Sequence, residues 1–204
     1  MNYLGRNKKQ PGLTMIEMVT AIVISGIIVI GLSLSARTVL AHYQIDTIRL
    51  DARYYGNTLI REITKKMNLA KQICVDRLNG FSRLDLSWTD KYGFTNNTII
   101  TANANDGILF DYQFPLDGVL TLPNKGAFRS RNQFHISLQN FDVLPQPITS
   151  GLLSDFSRST WDIILELKID MNNAPGGSRI EILRFERTVF MPNRFITMKD
   201  QTCL

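Results

Sequence analysis

The sequence is poor in the residue types that most enzymes and metal proteins use. It has two cysteines and two histidines among 204 residues, and neither pair has the close spacing of a zinc or redox site. The motifs HExxH, GxSxG, GxGxxG and GxxxxGK[ST] do not occur. We therefore expect no enzyme activity, no catalytic or metal-binding residues and no cofactor.

Charge and proline are both missing from the N-terminal part of the chain. In residues 13–36 Glu17 is the only charged side chain, and the run exceeds the about 20 residues that a helix needs to span a bilayer. No proline occurs between Leu13 and Asp90, so nothing in the sequence ends the helix at the membrane surface. The sequence predicts one helix from about Leu13 to about Ile73.

The predicted helix changes character after residue 36. In residues 37–73 apolar side chains recur at intervals of three and four, which places them on one face. This stripe consists of Ile48, Ala52, Tyr55, Leu59, Ile63, Met67, Ala70 and Ile73. We expect residues 13–36 to form a transmembrane or filament-core helix and residues 37–73 to pack against a head.

Residues 74–204 change to a period of two, which is typical of strands with one buried face. Alternation is clear around Leu84, Ile108 and Ile136, and clearest from Trp161 to Met171, before a turn-rich stretch and a further strand to Phe190. Segments 96–106, 115–132 and 144–159 are rich in Gly, Pro, Asn and Ser and are interpreted as loops. The predicted fold class is α+β, a long helix packed on an antiparallel sheet that includes one long hairpin.

Glu17 is the anomaly of the apolar run, because an acid in mid-bilayer costs about 2.5–3.5 kcal/mol. One explanation is an acid that reaches the cytoplasmic edge of an ordinary anchor. The neighbouring residues favour another: residues 12–17 read GLTMIE and follow Lys8 and Lys9. This stretch resembles the processing site of type IV prepilins and pseudopilins, in which a dedicated peptidase cuts after the glycine.

The resemblance implies a maturation step and a role in assembly. Cleavage would fall between Gly12 and Leu13 and remove residues 1–12 as a basic leader, after which Leu13, where the family usually has phenylalanine, would be N-methylated. Glu17 would be the fifth mature residue. Its carboxylate would pair with the N-terminal amine of a neighbouring subunit during assembly.

The same resemblance implies a function and a location. The chain would be a structural subunit of a type IV pilus-like or type II secretion pseudopilus filament, and its large head favours a minor, tip or priming component. Its partners would be other pilin-like subunits through their N-terminal helices, prepilin peptidase, the inner-membrane assembly platform and the lipid bilayer. It would lie in the bacterial inner membrane with the N-terminus cytoplasmic and the head extracytoplasmic, and then enter the filament.

Alternatives remain open at this level. A membrane-anchored ligand-binding or sensor domain needs neither Gly12 nor Glu17. Cys74 and Cys203 could form a disulfide in an extracytoplasmic head or stay reduced. The formal net charge is +5, and three of the basic residues belong to the leader, so the remaining charge is too mild to indicate a nucleic-acid groove. Nucleic acid is expected as a partner only if the filament serves DNA uptake.

Overall fold

The computed structural model describes residues 14–112, 122–123, 134–147, 154–171 and 177–197. The chain divides into two compact units, residues 1–44 and 45–204. The elements follow in the order α1 (Met15–Leu69), β1 (Gln72–Leu78), β2 (Phe81–Thr89), β3 (Thr95–Asn103), β4 (Gly107–Phe110), β5 (Phe134–Pro145), α2 (Ser154–Arg158), β6 (Thr160–Met171), β7 (Arg179–Phe190) and α3 (Pro192–Thr197).

The described part of the first unit is helical and largely exposed. Every residue from Thr14 to Leu40 is exposed, including the large apolar side chains of this segment. Among the described residues, α1 is the one helix long and apolar enough to cross a membrane. The long apolar N-terminal helix predicted from the sequence is therefore confirmed.

The second unit contains two antiparallel sheets and the C-terminal part of α1. Sheet A has four strands in the order β1-β2-β3-β4, and sheet B has three in the order β5-β6-β7. The predicted single sheet is thus two sheets, and the α+β class is confirmed. The buried stripe predicted for α1 is buried throughout, and it shares one hydrophobic core with the inner faces of both sheets.

The predicted end of α1 at Ile73 is wrong, because the helix ends at Leu69. The N–H of Ala70 still donates to the carbonyls of Lys66 and Met67, at 3.1 Å each, but the N–H of Lys71 donates to Ser87 of β2 at 2.8 Å. From that point the backbone belongs to sheet A. Ile73 is buried as predicted, but it lies in strand β1 and not in the helix. Its side chain faces the same core as the buried stripe of α1.

The sheet B strands agree best with the sequence pattern. In β6 the side chains of alternate residues from Trp161 to Met171 are buried, and β6 pairs with β7 as the predicted hairpin. The turn residues 172–176 lie outside the described residues. In β5 a bulge between Leu138 and Asn140 shifts which alternate residues are buried. The strand ends at Pro145, so residues 144 and 145, predicted to begin a loop, belong to the strand.

Two further expectations are corrected in sheet A. The segment 96–106, predicted as a loop, contains β3, whose central residues Ile100 and Ala102 are buried between β2 and β4. The alternation predicted to continue past Ile108 stops at Phe110. Asp111 and Tyr112 follow it with positive φ values of 54° and 61°, a left-handed backbone that no strand uses.

Candidate functional site

Thr14 and Glu17 form a reciprocal hydrogen-bonded pair at the start of α1. The N–H of Thr14 donates to Oε2 of Glu17 at 2.7 Å, and the Thr14 hydroxyl donates to the same oxygen at 2.8 Å. The N–H of Glu17 lies 3.4 Å from the Thr14 hydroxyl oxygen. Thr14 precedes the first helical residue, Met15, and Glu17 is the third helical residue, so the two form a capping box.

This pair gives the Glu17 carboxylate partners within its own chain. The first N–H groups of a helix lack intrahelical acceptors, and an acid in the first turn also complements the positive end of the helix dipole. Glu17 therefore has a local structural role, and the assembly role implied by the family resemblance stays a prediction. The sequence signal for this role is T-x-x-E before an apolar run, and it identifies Thr14 as the capping partner of Glu17.

The proposed cleavage site adjoins this cap. Gly12 and Leu13 lie outside the described residues, so cleavage between them stays a prediction. Such a cut would leave Thr14 as the second residue of the mature chain. Because the cap uses the N–H of Thr14, which cleavage before Leu13 does not remove, the Thr14–Glu17 pair is compatible with the mature protein.

The comparison with known families matches the N-terminal segment. Residues 7–33 match the prokaryotic N-terminal methylation motif, which spans the GLTMIE stretch and most of the apolar run. No curated protein and no solved structure matches the chain.

The motif and the fold together support one class of protein. The chain carries a prepilin-type methylation motif on a long apolar helix whose C-terminal part packs on an antiparallel head. The match at residues 7–33 supports a type IV pilin-like protein, a class whose members are structural. The motif implies processing by prepilin peptidase and assembly with other pilin subunits.

Cys74 is the described member of the candidate disulfide. It lies in β1, half-buried, and the structure gives it as disulfide-bonded and not as a free thiol. The sequence has one other cysteine, Cys203, which lies outside the described residues, so the pairing with Cys203 stays a prediction.

The neighbouring helix α3 brings the C-terminal segment to the junction of α1 and β1. The Asn193 side-chain amide lies 3.1 Å from the carbonyl oxygens of both Asn68 and Leu69, which are the last residues of α1. The Arg194 guanidinium donates to the carbonyl of Ile73 at 3.3 Å. Burial lowers the pKa of Arg194. These contacts place α3 beside Ile73, the residue that precedes Cys74.

The rest of the described head shows no cluster of metal-binding side chains. Among the described residues, no group of three or more His, Cys, Asp and Glu side chains could hold a metal ion. His42 and His135 lie on different elements, α1 and β5. The described residues thus show two local features, the capping box of Thr14 and Glu17 at the start of α1 and the contacts of Asn193 and Arg194 with residues 68–73.

Proposed function

We propose that this protein is a minor structural subunit of a type IV pilus-like or type II secretion pseudopilus filament, in a tip or priming position. The observation that carries the proposal is the methylation motif at residues 7–33, continuous with an exposed apolar helix. A head of seven described strands in two sheets supports a minor component, because major subunits of this family usually have smaller heads.

The maturation pathway follows from the order of segments. The basic leader stays in the cytoplasm, the peptidase cuts after Gly12, and residues 13–36 hold the chain in the inner membrane with the head outside. The subunit then passes from the bilayer to the filament, where helices of neighbouring subunits replace lipid around its exposed apolar side chains. This sequence of events needs no chemistry from the head.

Glu17 links maturation to assembly in this proposal. Cleavage creates an amine on Leu13, and an isolated ion of either sign is costly in an apolar helix bundle, whereas a close pair costs much less. The amine of an incoming subunit neutralises the carboxylate of a subunit already in place and sets their axial register. Before that contact forms, the N–H and the hydroxyl of Thr14 donate hydrogen bonds to the Glu17 carboxylate.

The test is incorporation of the full chain into filaments. An epitope-tagged full-length chain is produced with the pilin-like subunits and peptidase of its own organism, and sheared or overproduced filaments are purified. We expect the processed chain in the filament fraction at a small ratio to the main subunit. A chain that is processed but stays wholly in the membrane fraction, with filaments present, contradicts the proposal.

A matched variant separates processing from folding. Gly12→Ala should slow cleavage and lower incorporation, and a bulky residue at position 12 should block both. Neither change touches the described head. An equal yield of wild-type and bulky variant in the filaments would show that cleavage is not required, and an anchored ligand-binding domain would then be favoured.

A further inference from the structure

Strand β7 forms an open edge of sheet B. Its 12 residues pair with β6 along one side only. Along the other side, no backbone group of residues 179–190 has a hydrogen-bond partner in the described structure. Alternate residues of an antiparallel strand direct their N–H and C=O groups to opposite sides. Within the described part of the chain, about half of β7 therefore presents unpaired backbone groups outwards.

The other sheet edges are shorter or attached to neighbouring segments. On β5, the N–H of Leu138 donates to Ala104 at 2.9 Å and the N–H of Val143 donates to the Ser82 hydroxyl at 3.0 Å. On β1, the carbonyl of Ile73 accepts from Arg194. The remaining edge strand, β4, has 4 residues. Among the described strands, β7 is therefore the long edge without a partner.

The composition of β7 protects this edge by charge alone. Proteins block exposed edges with proline, charged side chains, bulges or short strands. β7 has no proline and pairs with β6 without a bulge, and its charged side chains are Arg179, Glu181, Arg184, Glu186 and Arg187. On its outer face Ile180 and Ile182 are 59% and 51% exposed. A long, regular edge with exposed isoleucines is suited to pairing with another strand.

Three arginines, Arg53, Arg179 and Arg187, make this edge positively charged on the side that faces α1. Glu181 identifies that side, because it forms an ion pair with Arg49 of α1 at 2.7 Å. Arg179 and Arg187 share the parity of Glu181 on β7, and Arg53 lies one turn after Arg49. All three are exposed. None of the three has an acidic partner in the described structure.

We propose that the open edge of β7 is the docking site for an extended segment of a different pilin-like subunit, which adds to sheet B as a further strand. The segment carries carboxylates on the side that faces α1 and apolar residues beside Ile180 and Ile182. Backbone hydrogen bonds supply affinity and the side chains supply specificity. The inference rests on the proposed function, because it needs a filament neighbour as the partner.

The charges favour a different subunit over a second copy of this chain. Pairing of two β7 strands would bring Arg53, Arg179 and Arg187 of both copies to the same side of the joined sheet. Like charges in neighbouring strands are destabilising. On the side that faces α1, the acidic side chain of β7 is Glu181, and it is already paired with Arg49. An acidic segment meets no such repulsion.

The test compares amide hydrogen exchange of the full-length chain in detergent micelles and in purified filaments. Docking predicts that alternate β7 amides, those directed away from β6, become protected on assembly. Unchanged exchange of β7 in filaments that contain the chain overturns the inference and leaves the proposed function standing. Absence of the chain from the filaments overturns both. Protection that rises with concentration of the purified chain alone assigns the edge to a second copy and contradicts the proposed partner.

Charge reversal provides the second arm. Arg53→Glu and Arg187→Glu should each lower recovery in filaments by about tenfold, because each sets an acid against the acidic partner. The control is Lys91→Glu, an exposed charge reversal in the β2–β3 turn of sheet A. All three variants should keep the wild-type melting temperature. Equal recovery of the Arg53, Arg187 and Lys91 variants contradicts the proposed charge of the partner.

Discussion

The aromatic ring of Phe185 in β7 occupies the space in which a side chain on Gly56 of α1 would begin. A Cβ built at residue 56 would lie 2.6 Å from the ring, well inside any normal carbon–carbon contact. The absence of a side chain at residue 56 therefore leaves room for the Phe185 ring. Packing accounts for a glycine that is otherwise unfavourable inside a helix.

Gly56→Ala is accordingly expected to destabilise the head. Alanine is favoured in a helix interior by about 1 kcal/mol, but overpacking against Phe185 costs about 1–3 kcal/mol, so the clash outweighs the gain. Chemical denaturation should show lower stability for Gly56→Ala and little change for Asn57→Ala, an exposed neighbour. Stabilisation by Gly56→Ala would show that the ring moves away freely.

Tyr55 predicts a pH dependence of stability. Burial raises the pKa of its hydroxyl to about 12, while the unfolded side chain titrates near 10. Because the folded pKa is the higher one, this contribution is fully present below about pH 10 and is lost as the pH rises to about 12, up to roughly 2.7 kcal/mol.

Tyr55→Phe should remove that alkaline loss, since phenylalanine does not titrate. The variant should also lose the hydrogen bond from the N–H of Ile108 to the Tyr55 oxygen, 3.4 Å long, at a cost of about 1 kcal/mol at neutral pH. The measurement is the free energy of unfolding from pH 8 to pH 12 for both proteins. Parallel curves would contradict burial of the hydroxyl.

The predicted Cys74–Cys203 disulfide has a large expected effect. Closing a loop of more than 100 residues stabilises a fold by about 4–5 kcal/mol in the chain-entropy model. Reductant should therefore lower the stability of the wild-type head, and Cys74→Ser should match the reduced protein. If reductant changes neither stability nor mobility on a non-reducing gel, the two cysteines are not bonded to each other.

Two substitutions of Glu17 separate its two roles. Glu17→Gln keeps an oxygen that can accept from the Thr14 N–H but removes the charge, whereas Glu17→Val removes both. If the charge pairs with a neighbouring amine, both variants should insert and be cleaved normally and enter filaments at least about tenfold less than wild type. If Glu17→Gln assembles as wild type and Glu17→Val does not, capping alone explains the residue.

The N-terminal region and sheet B follow closely from the sequence, for physical reasons. An apolar run with one charge has few alternatives to a spanning helix, and strict alternation from Trp161 to Met171 leaves only one face to bury. The end of α1 could not be predicted, because Ile73 satisfies both a helical and a strand period. That choice is made by the hydrogen bond from Lys71 to Ser87, a contact distant in sequence.

Strand β3 and the capping box show two other limits. Strand β3 begins with exposed polar residues such as Asn96 and Asn97, which are typical of turns. Its central run of β-branched residues is too short to predict a strand against that signal. Thr14 carries a readable signal, since T-x-x-E before a helix is a known cap. The division into two sheets depends on pairings between distant segments, which periodicity alone does not specify.

The intact mass of the full-length chain, extracted from membranes with and without a coexpressed prepilin peptidase, tests the central claim most directly. With the peptidase, the account predicts a chain that begins at Leu13 and carries an N-terminal methyl group. Without it, the chain should begin at Met1. A chain that begins at Met1 in both preparations, under conditions in which a known prepilin is processed, would contradict the account.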